Sequence, residues 1–360
     1  MADPTTTNYG LTKPTVGADP DTWGALLNTN FDTIDAQIYA AAQAGFRNRI
    51  INGACLVDQR GSTTSGAVSY GGVDRFIMSL SGTGGTVTQS QASFTFGGQT
   101  KTCVKALIAT ALTSIASGNF YEGISQRIEG LQVFDLIGQP FVVSFLFNTN
   151  VTGTYSVSIR DGSATNSYVT TFSATANTPK YVVVTVPALS TMVAPSNTST
   201  GMTIDIAALN TGTFQTSTLN AWQTGNFISA NTATNYGGTA NNFIEVAELQ
   251  LEPGTFATPF ERRPHPVESN LCLRYYNANV QMFLQGSNGV AGQGIGGTLV
   301  LPVPMRAAPT MTVTTNSNTN VSSMSTSGLG DRFASVAVLG SVTANGGWLF
   351  NSNFSANAEL

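Results

Sequence analysis

Phe141-Val142-Val143-Ser144-Phe145-Leu146-Phe147 is apolar on both phases of a two-residue repeat. Branched and aromatic side chains fit a pleated surface, and a strand covered on both faces reads as one apolar run. The stretch therefore predicts a central strand of a sheet. Working outward, strands are expected at Phe94–Phe96, Tyr155–Arg160, Tyr168–Phe172, Tyr181–Val186 and Met202–Ile206. Turn-rich spacers such as Thr152-Gly153 and Asp161-Gly162-Ser163 separate them. Short strands at this spacing predict a β-sandwich or jelly roll over residues 47–264. Phe243 to Leu251 changes phase near Glu248, which predicts a bulge.

The flanks read differently. Residues 1–20 hold three prolines and many threonines, so they predict an extended leader without a core. Over residues 21–46 the pattern is helical, with Asp19 or Asp21 as cap and Gly45 at the end. Leu27, Phe31, Ile34, Ile38 and Ala41 recur at alternating four- and three-residue spacing, the seam of a left-handed coiled coil. Isoleucine in both core classes favours three strands over two. A single amphipathic helix packed on its own chain would show the same period. Glu261 to Pro266 predicts a charged, proline-rich hinge, and Asn270 to Tyr276 a short helix or strand. Residues 265–360 predict a smaller β domain, with strands at Thr298–Leu301, Thr310–Val313, Ala334–Leu339 and Gly347–Phe350. Gly286 to Gly297 reads as a flexible loop; it lacks the spacing of a phosphate cradle. The fold class is thus mostly β, behind an extended anchor and an α-helix.

Composition narrows function. Charged residues are 9% of the chain, against roughly 25% in a typical soluble domain. The net charge is −4 and no basic stripe exists, which argues against nucleic acid. No run reaches the length of a membrane helix, so no membrane insertion is expected. Cys55, Cys103 and Cys272 stand singly, which predicts buried thiols rather than a disulfide framework or zinc site. His265 is the only histidine, leaving a Ser-His-Asp triad or a three-histidine metal site little to work with. Asp135, Asp161, Asp205 and Glu245 show no local pairing of the kind a glycan-cleaving enzyme needs. A non-enzyme is expected, with a depolymerase as the weaker alternative.

Three stretches carry a resemblance. Asn8-Tyr9-Gly10-Leu11-Thr12-Lys13-Pro14, then Asp21-Thr22-Trp23-Gly24, then Asn28 to Asp35, resemble the N-terminal segment of bacteriophage tail fibre and tail collar proteins. Asn48 to Ala54, Asp58-Gln59-Arg60-Gly61, Val73-Asp74-Arg75-Phe76, Gln126 to Glu129 and Glu248 to Pro264 are similar to a carbohydrate-binding-module-like sandwich of phage tail proteins. Leu271 to Tyr276 and the terminal Ala356-Asn357-Ala358-Glu359-Leu360 also resemble that family. Phe76 stands where the family usually has Trp, which weakens any stacking platform there. The resemblance implies a homotrimeric virion protein of tail or neck, assembled in the host cytoplasm. Asn8, Tyr9, Gly10, Leu11, Lys13 and Pro14 would anchor it to a portal, neck or tail protein. It implies host adsorption through a surface glycan or protein, or a purely structural head, neck or collar fibre.

Sugar recognition needs aromatic rings and planar polar groups. Trp222, Tyr236 and Trp348 lie in Asn/Gly/Thr-rich contexts and are the binding candidates, with plugging of a core or interface as the competing role. Arg60, Asp74, Arg75, Arg127, Glu129 and Glu248 predict buried Arg–carboxylate pairs. Related sandwiches often hold Ca²⁺; Asp58, Glu248 and Glu252 would be its oxygen ligands. No other cofactor is expected.

Overall fold

A computed structural model describes residues 4–5, 11–15, 21–42, 46–115, 118–322, 325–329 and 335–360. Two antiparallel sheets pack face to face. The first has six strands in the order Thr63–Ser65, Thr86–Phe96, Gln99–Thr110, Phe243–Pro253, Phe141–Thr149 and Lys180–Val186. The second has seven: Trp222–Thr224, Asn166–Ala174, Gly153–Asp161, Thr200–Ile206, Ile124–Glu129, Ile77–Met78 and Ser69–Tyr70. Phe141, Val143, Phe145 and Phe147 point into the core between the sheets, against Tyr155, Val157 and Ile159. Each such buried side chain contributes about 1.5–3 kcal/mol.

The Phe141–Thr149 strand is buried at every residue, as its double apolar phase predicts. It lies one place in from the sheet edge. The bulge falls where expected: register shifts between Ala247 and Gln250, and Glu248 takes a φ of +52°. The Gln99–Thr110 strand was not legible in the sequence. It pairs with Thr86–Phe96 around Gly97-Gly98, whose φ values of +58° and +75° suit the hairpin turn that glycine permits.

Several expectations are corrected. In the described part of the leader Thr5 bridges Thr12, and the Lys13 N–H donates to Pro4 O at 2.8 Å. Glu261 to Pro266 is fastened rather than hinged. Asn48 N–H donates to Glu261 Oε2 at 2.7 Å, and Arg263 reaches Ile50 O at 3.0 Å and Glu268 at 3.3 Å. His265–Leu273 is a helix. Gly286 to Gly297 is mostly the ends of two strands, Tyr276–Gly289 and Gly294–Val300, joined by a turn at 290–293. Some of its glycines are packing positions: a Cβ on Gly286 or Gly289 would strike the Trp348 ring, and one on Gly297 would strike Met282.

Beyond the helix lie two three-stranded sheets. One orders Tyr276–Gly289, Gly346–Asn357 and Thr310–Asn316; the other orders Gly294–Val300, Ser335–Ser341 and Ser325–Leu329. They share a core around Met282, Leu299, Val338, Phe350 and Phe354. The three cysteines are buried and free.

Charge sits inside this protein, as the isolated motif charges suggested. Arg60 lies between Asp74 at 3.8 Å and Glu359 at 3.3 Å, and Arg75 also pairs with Glu359. Glu129 meets Arg274 at 3.1 Å. Arg127 holds Leu360 O at 3.0 Å. A cluster that the sequence did not announce joins Arg160 to Glu122 at 2.6 Å and to Asp205 at 2.9 Å.

Candidate functional site

The N-terminal helix spans Trp23–Ala42. Trp23, Leu27, Phe31 and Ile34 are 57%, 37%, 59% and 39% exposed, so among the described residues this stripe is only partly covered. The Ile38 and Ala41 side chains lie outside the described ones. A helix of this length is marginal alone in water. Asn30, on the same helix, grips the leader. Its Nδ2 donates to Thr12 O at 2.7 Å and its Oδ1 accepts from Thr12 N–H at 3.0 Å. Of the anchor residues, Leu11, Lys13 and Pro14 flank this grip; Asn8, Tyr9 and Gly10 lie outside the described residues.

The three aromatic candidates do not form one site. Tyr236 is fully buried, and its hydroxyl donates to Ala207 O at 2.8 Å, so its ring is closed to a ligand. Trp222 is half-buried at the sandwich edge. It packs edge-on against Phe141 and tilted against Tyr168, and its Nε1 donates to Pro187 O at 2.7 Å. Tyr236 plugs the core and Trp222 packs against its edge, a difference the residue types could not tell. Trp348 sits in the smaller domain and covers Gly286 and Gly289 while remaining half-buried.

The Ca²⁺ candidates each have partners of their own. Asp58 Oδ1 accepts from Gly61 N–H at 2.8 Å in a tight turn. Glu248 is held by Lys101 at 3.1 Å and by Arg262. Glu252 is held by Arg47 at 2.9 Å and by the Thr258 hydroxyl at 2.6 Å. The three are spent on separate partners, and no metal-holding group occurs among the described residues. Asp135 pairs with Arg49 at 2.7 Å, and Asp161 accepts from Thr165 N–H at 2.9 Å.

A coherent face does exist on the outer side of the six-stranded sheet, and cross-strand register builds it. One row runs Ser90, Lys105, Glu245, Asn148 across four strands. The next pairs Ala92 with Cys103, and Ala247 with Leu146 and then Tyr181. Neighbouring rows on one face lie about 7 Å apart. The second row is an apolar floor of small and aliphatic side chains, with Phe94 and Phe96 packed at its side. At its far end Tyr181 and Val183, on the edge strand, are each 45% exposed.

The polar row is neutral and incomplete. Glu245 pairs with Lys105 at 3.2 Å and accepts from Asn148 Nδ2 at 2.7 Å. Lys105 also lies 4.0 Å over the Phe243 ring. Asn148 Oδ1 is buried and has no donor among the described residues. A buried acceptor left without a donor is costly, about 1–3 kcal/mol. Burial pushes the Cys103 thiol up, and the nearby Glu245 carboxylate pushes it further; this thiol acts as floor, not nucleophile. The face offers an exposed aromatic ring, a cation with its charge matched, and no net charge of its own in the polar row. One signal for it was readable: Tyr181 and Val183 make the edge strand apolar on its outer phase as well as its inner one.

No family model matches this chain, and no curated protein matches it. Solved structures similar to it include a CBM4 carbohydrate-binding module, 12% identical, which covers 56% of this chain and 98% of that one at a TM-score of 0.31. Another is the C-terminal family 22 carbohydrate-binding module of Clostridium thermocellum Xyn10B, 13% identical, with coverage of 54% and 99% and a TM-score of 0.30. A cyclase from Fischerella sp. TAU is 8% identical, with coverage of 55% and 86% and a TM-score of 0.27. The sandwich itself is established by the strand order and register above.

Proposed function

We propose that this chain is a non-enzymatic, homotrimeric bacteriophage virion fibre of tail or neck that anchors through residues 1–20 and binds a host-surface glycan. The observation that carries the glycan reading is the outer face of the six-stranded sheet, where exposed Tyr181 ends an apolar row beside the charge-matched row of Lys105, Glu245 and Asn148. A sugar stacks its C–H face on an aromatic ring and gives hydroxyls to planar amides. The exposed stripe from Trp23 to Ile34 supports the trimer, because sister helices would bury it. Three chains then engage one surface together, and weak single sites add up to firm adhesion.

Two measurements test the reading. The full chain should sediment as three copies, and Phe31→Asp with Ile34→Asp as one; a monomeric wild-type chain removes the fibre. Virions carrying Tyr181→Ala should adsorb to host cells at least about tenfold more weakly, since one lost stacking contact is multiplied over three chains. Unchanged adsorption, with the fibre still incorporated, would leave a structural collar fibre and remove the receptor role.

A further inference from the structure

The smaller domain carries a second face of the same chemical kind on a different unit. Phe283 stands midway along Tyr276–Gly289 and is 54% exposed. Alternation puts Gln281 and Gln285 beside it on its own strand, and register places Asn351 directly opposite, with Asn353 and Leu349 to either side. Gln281 Nε2 donates to Asn351 Oδ1 at 3.2 Å, which orients both amides next to the ring. The side-chain amides of Gln285 and Asn353 make no hydrogen bond among the described residues. Val280 and Met282 face the other way and fill the core with Phe350 and Phe354, so the fold does not need the Phe283 ring. None of the three strands of this sheet contains a charged residue.

An exposed ring edged by planar amides and lacking any ionised group matches a neutral sugar: the ring takes the C–H face and the amides take hydroxyls. An anionic sugar would find no counter-charge here. We infer that this face, centred on Phe283, is a second glycan platform on each chain, selective for a neutral sugar residue. It goes beyond the trough at Tyr181, since neither platform shares a residue with the other.

The full chain and its Phe283→Ala, Phe283→Tyr and Tyr181→Ala variants are to be applied to an array of neutral, sialylated and sulfated oligosaccharides. Phe283→Ala should cut binding to neutral spots about tenfold, one aromatic contact's worth, and Phe283→Tyr should retain it. The double variant should lose the neutral spots that Tyr181→Ala keeps. Binding untouched by Phe283→Ala, or confined to acidic spots, overturns the platform while leaving the Tyr181 trough standing. A changed sedimentation coefficient for Phe283→Ala also overturns it, by making the ring a subunit contact. No wild-type binding on the array removes both sites.

Discussion

Arg160→Ala is expected to destabilise the sandwich by about 3–5 kcal/mol at pH 8, because it strands two buried carboxylates. Arg160 Nε donates to Asp205 Oδ2 at 2.9 Å, Nη2 to Glu122 Oε1 at 2.6 Å and Nη1 to Asn226 Oδ1 at 3.0 Å. The last contact ties the long 207–228 segment to the outer face of the seven-stranded sheet. Ser125 adds a donor to Asp205 Oδ1 at 2.7 Å, while Glu122 Oε2 is buried without one among the described residues. One guanidinium thus serves two carboxylates. Burial pushes the Asp205 carboxyl up from 3.8 to about 7, against the pull of Arg160 and with a further push from Glu122.

The pH dependence follows from that direction. Above about 4 the unfolded chain has released a proton that folded Asp205 keeps until about 7. This group's contribution to stability is therefore full below about 4 and falls away as pH rises to about 7. Urea unfolding from pH 5 to 8 should show that decline, and Asp205→Asn should flatten it. The Arg160→Ala loss should shrink at pH 5, where the stranded carboxylates can take protons. A loss below about 1 kcal/mol at pH 8 would mean that water reaches the cluster and the burial argument fails.

Glu359→Ala should release the smaller domain from the sandwich, at a cost again of about 3–5 kcal/mol. Glu359 is the carboxylate that answers Arg75, which is only 1% exposed, and it also meets Arg60. Both guanidinium groups lie over aromatic rings of the joining segment, Arg60 3.4 Å from the centre of Tyr276 and Arg75 3.5 Å from that of Tyr275. Arg306 holds Ala358 O and Glu359 O, each at 2.7 Å, and the Tyr70 hydroxyl donates to Leu360 O at 2.9 Å. Removing the carboxylate leaves two neighbouring cations with one carboxylate, Asp74, between them. The expected readout is a single urea transition that splits in two, with new trypsin cleavage at Arg274 or Arg306. Glu359→Gln keeps the acceptor and should lose less. One unbroken transition in Glu359→Ala would show that the two cores are joined by other contacts.

Much of the fold could be read along the chain. The double apolar phase of Phe141 to Phe147 specified an interior strand, and the phase slip at Glu248 specified a bulge, because side-chain alternation is a local property of the pleat. The helix from Trp23 was legible from its period for the same reason. Gln99–Thr110 was missed because its lysines and threonines hide the inner phase that Val104, Ala106 and Ile108 supply. The glycine-rich run near Gly286 was misread because its glycines make room for Trp348 across the sheet, a demand invisible from its own neighbours.

The candidate site was hardly legible at all. Trp222 and Tyr236 have the residue types and turn-rich settings of a sugar site, yet one caps the sandwich edge and the other fills its core. Tyr181, Asn148, Glu245 and Lys105 come from four separate strands. The sequence by itself determined the interior strand at Phe141–Thr149, the bulge at Glu248 and the helix from Trp23, and that charge, being scarce, would be paired. Which charges meet, which aromatics stay in water and which row of side chains faces outward were decided only by tertiary structure. Strand order brings together residues far apart along the chain, and burial then depends on what the neighbouring strand presents rather than on any residue's own chemistry.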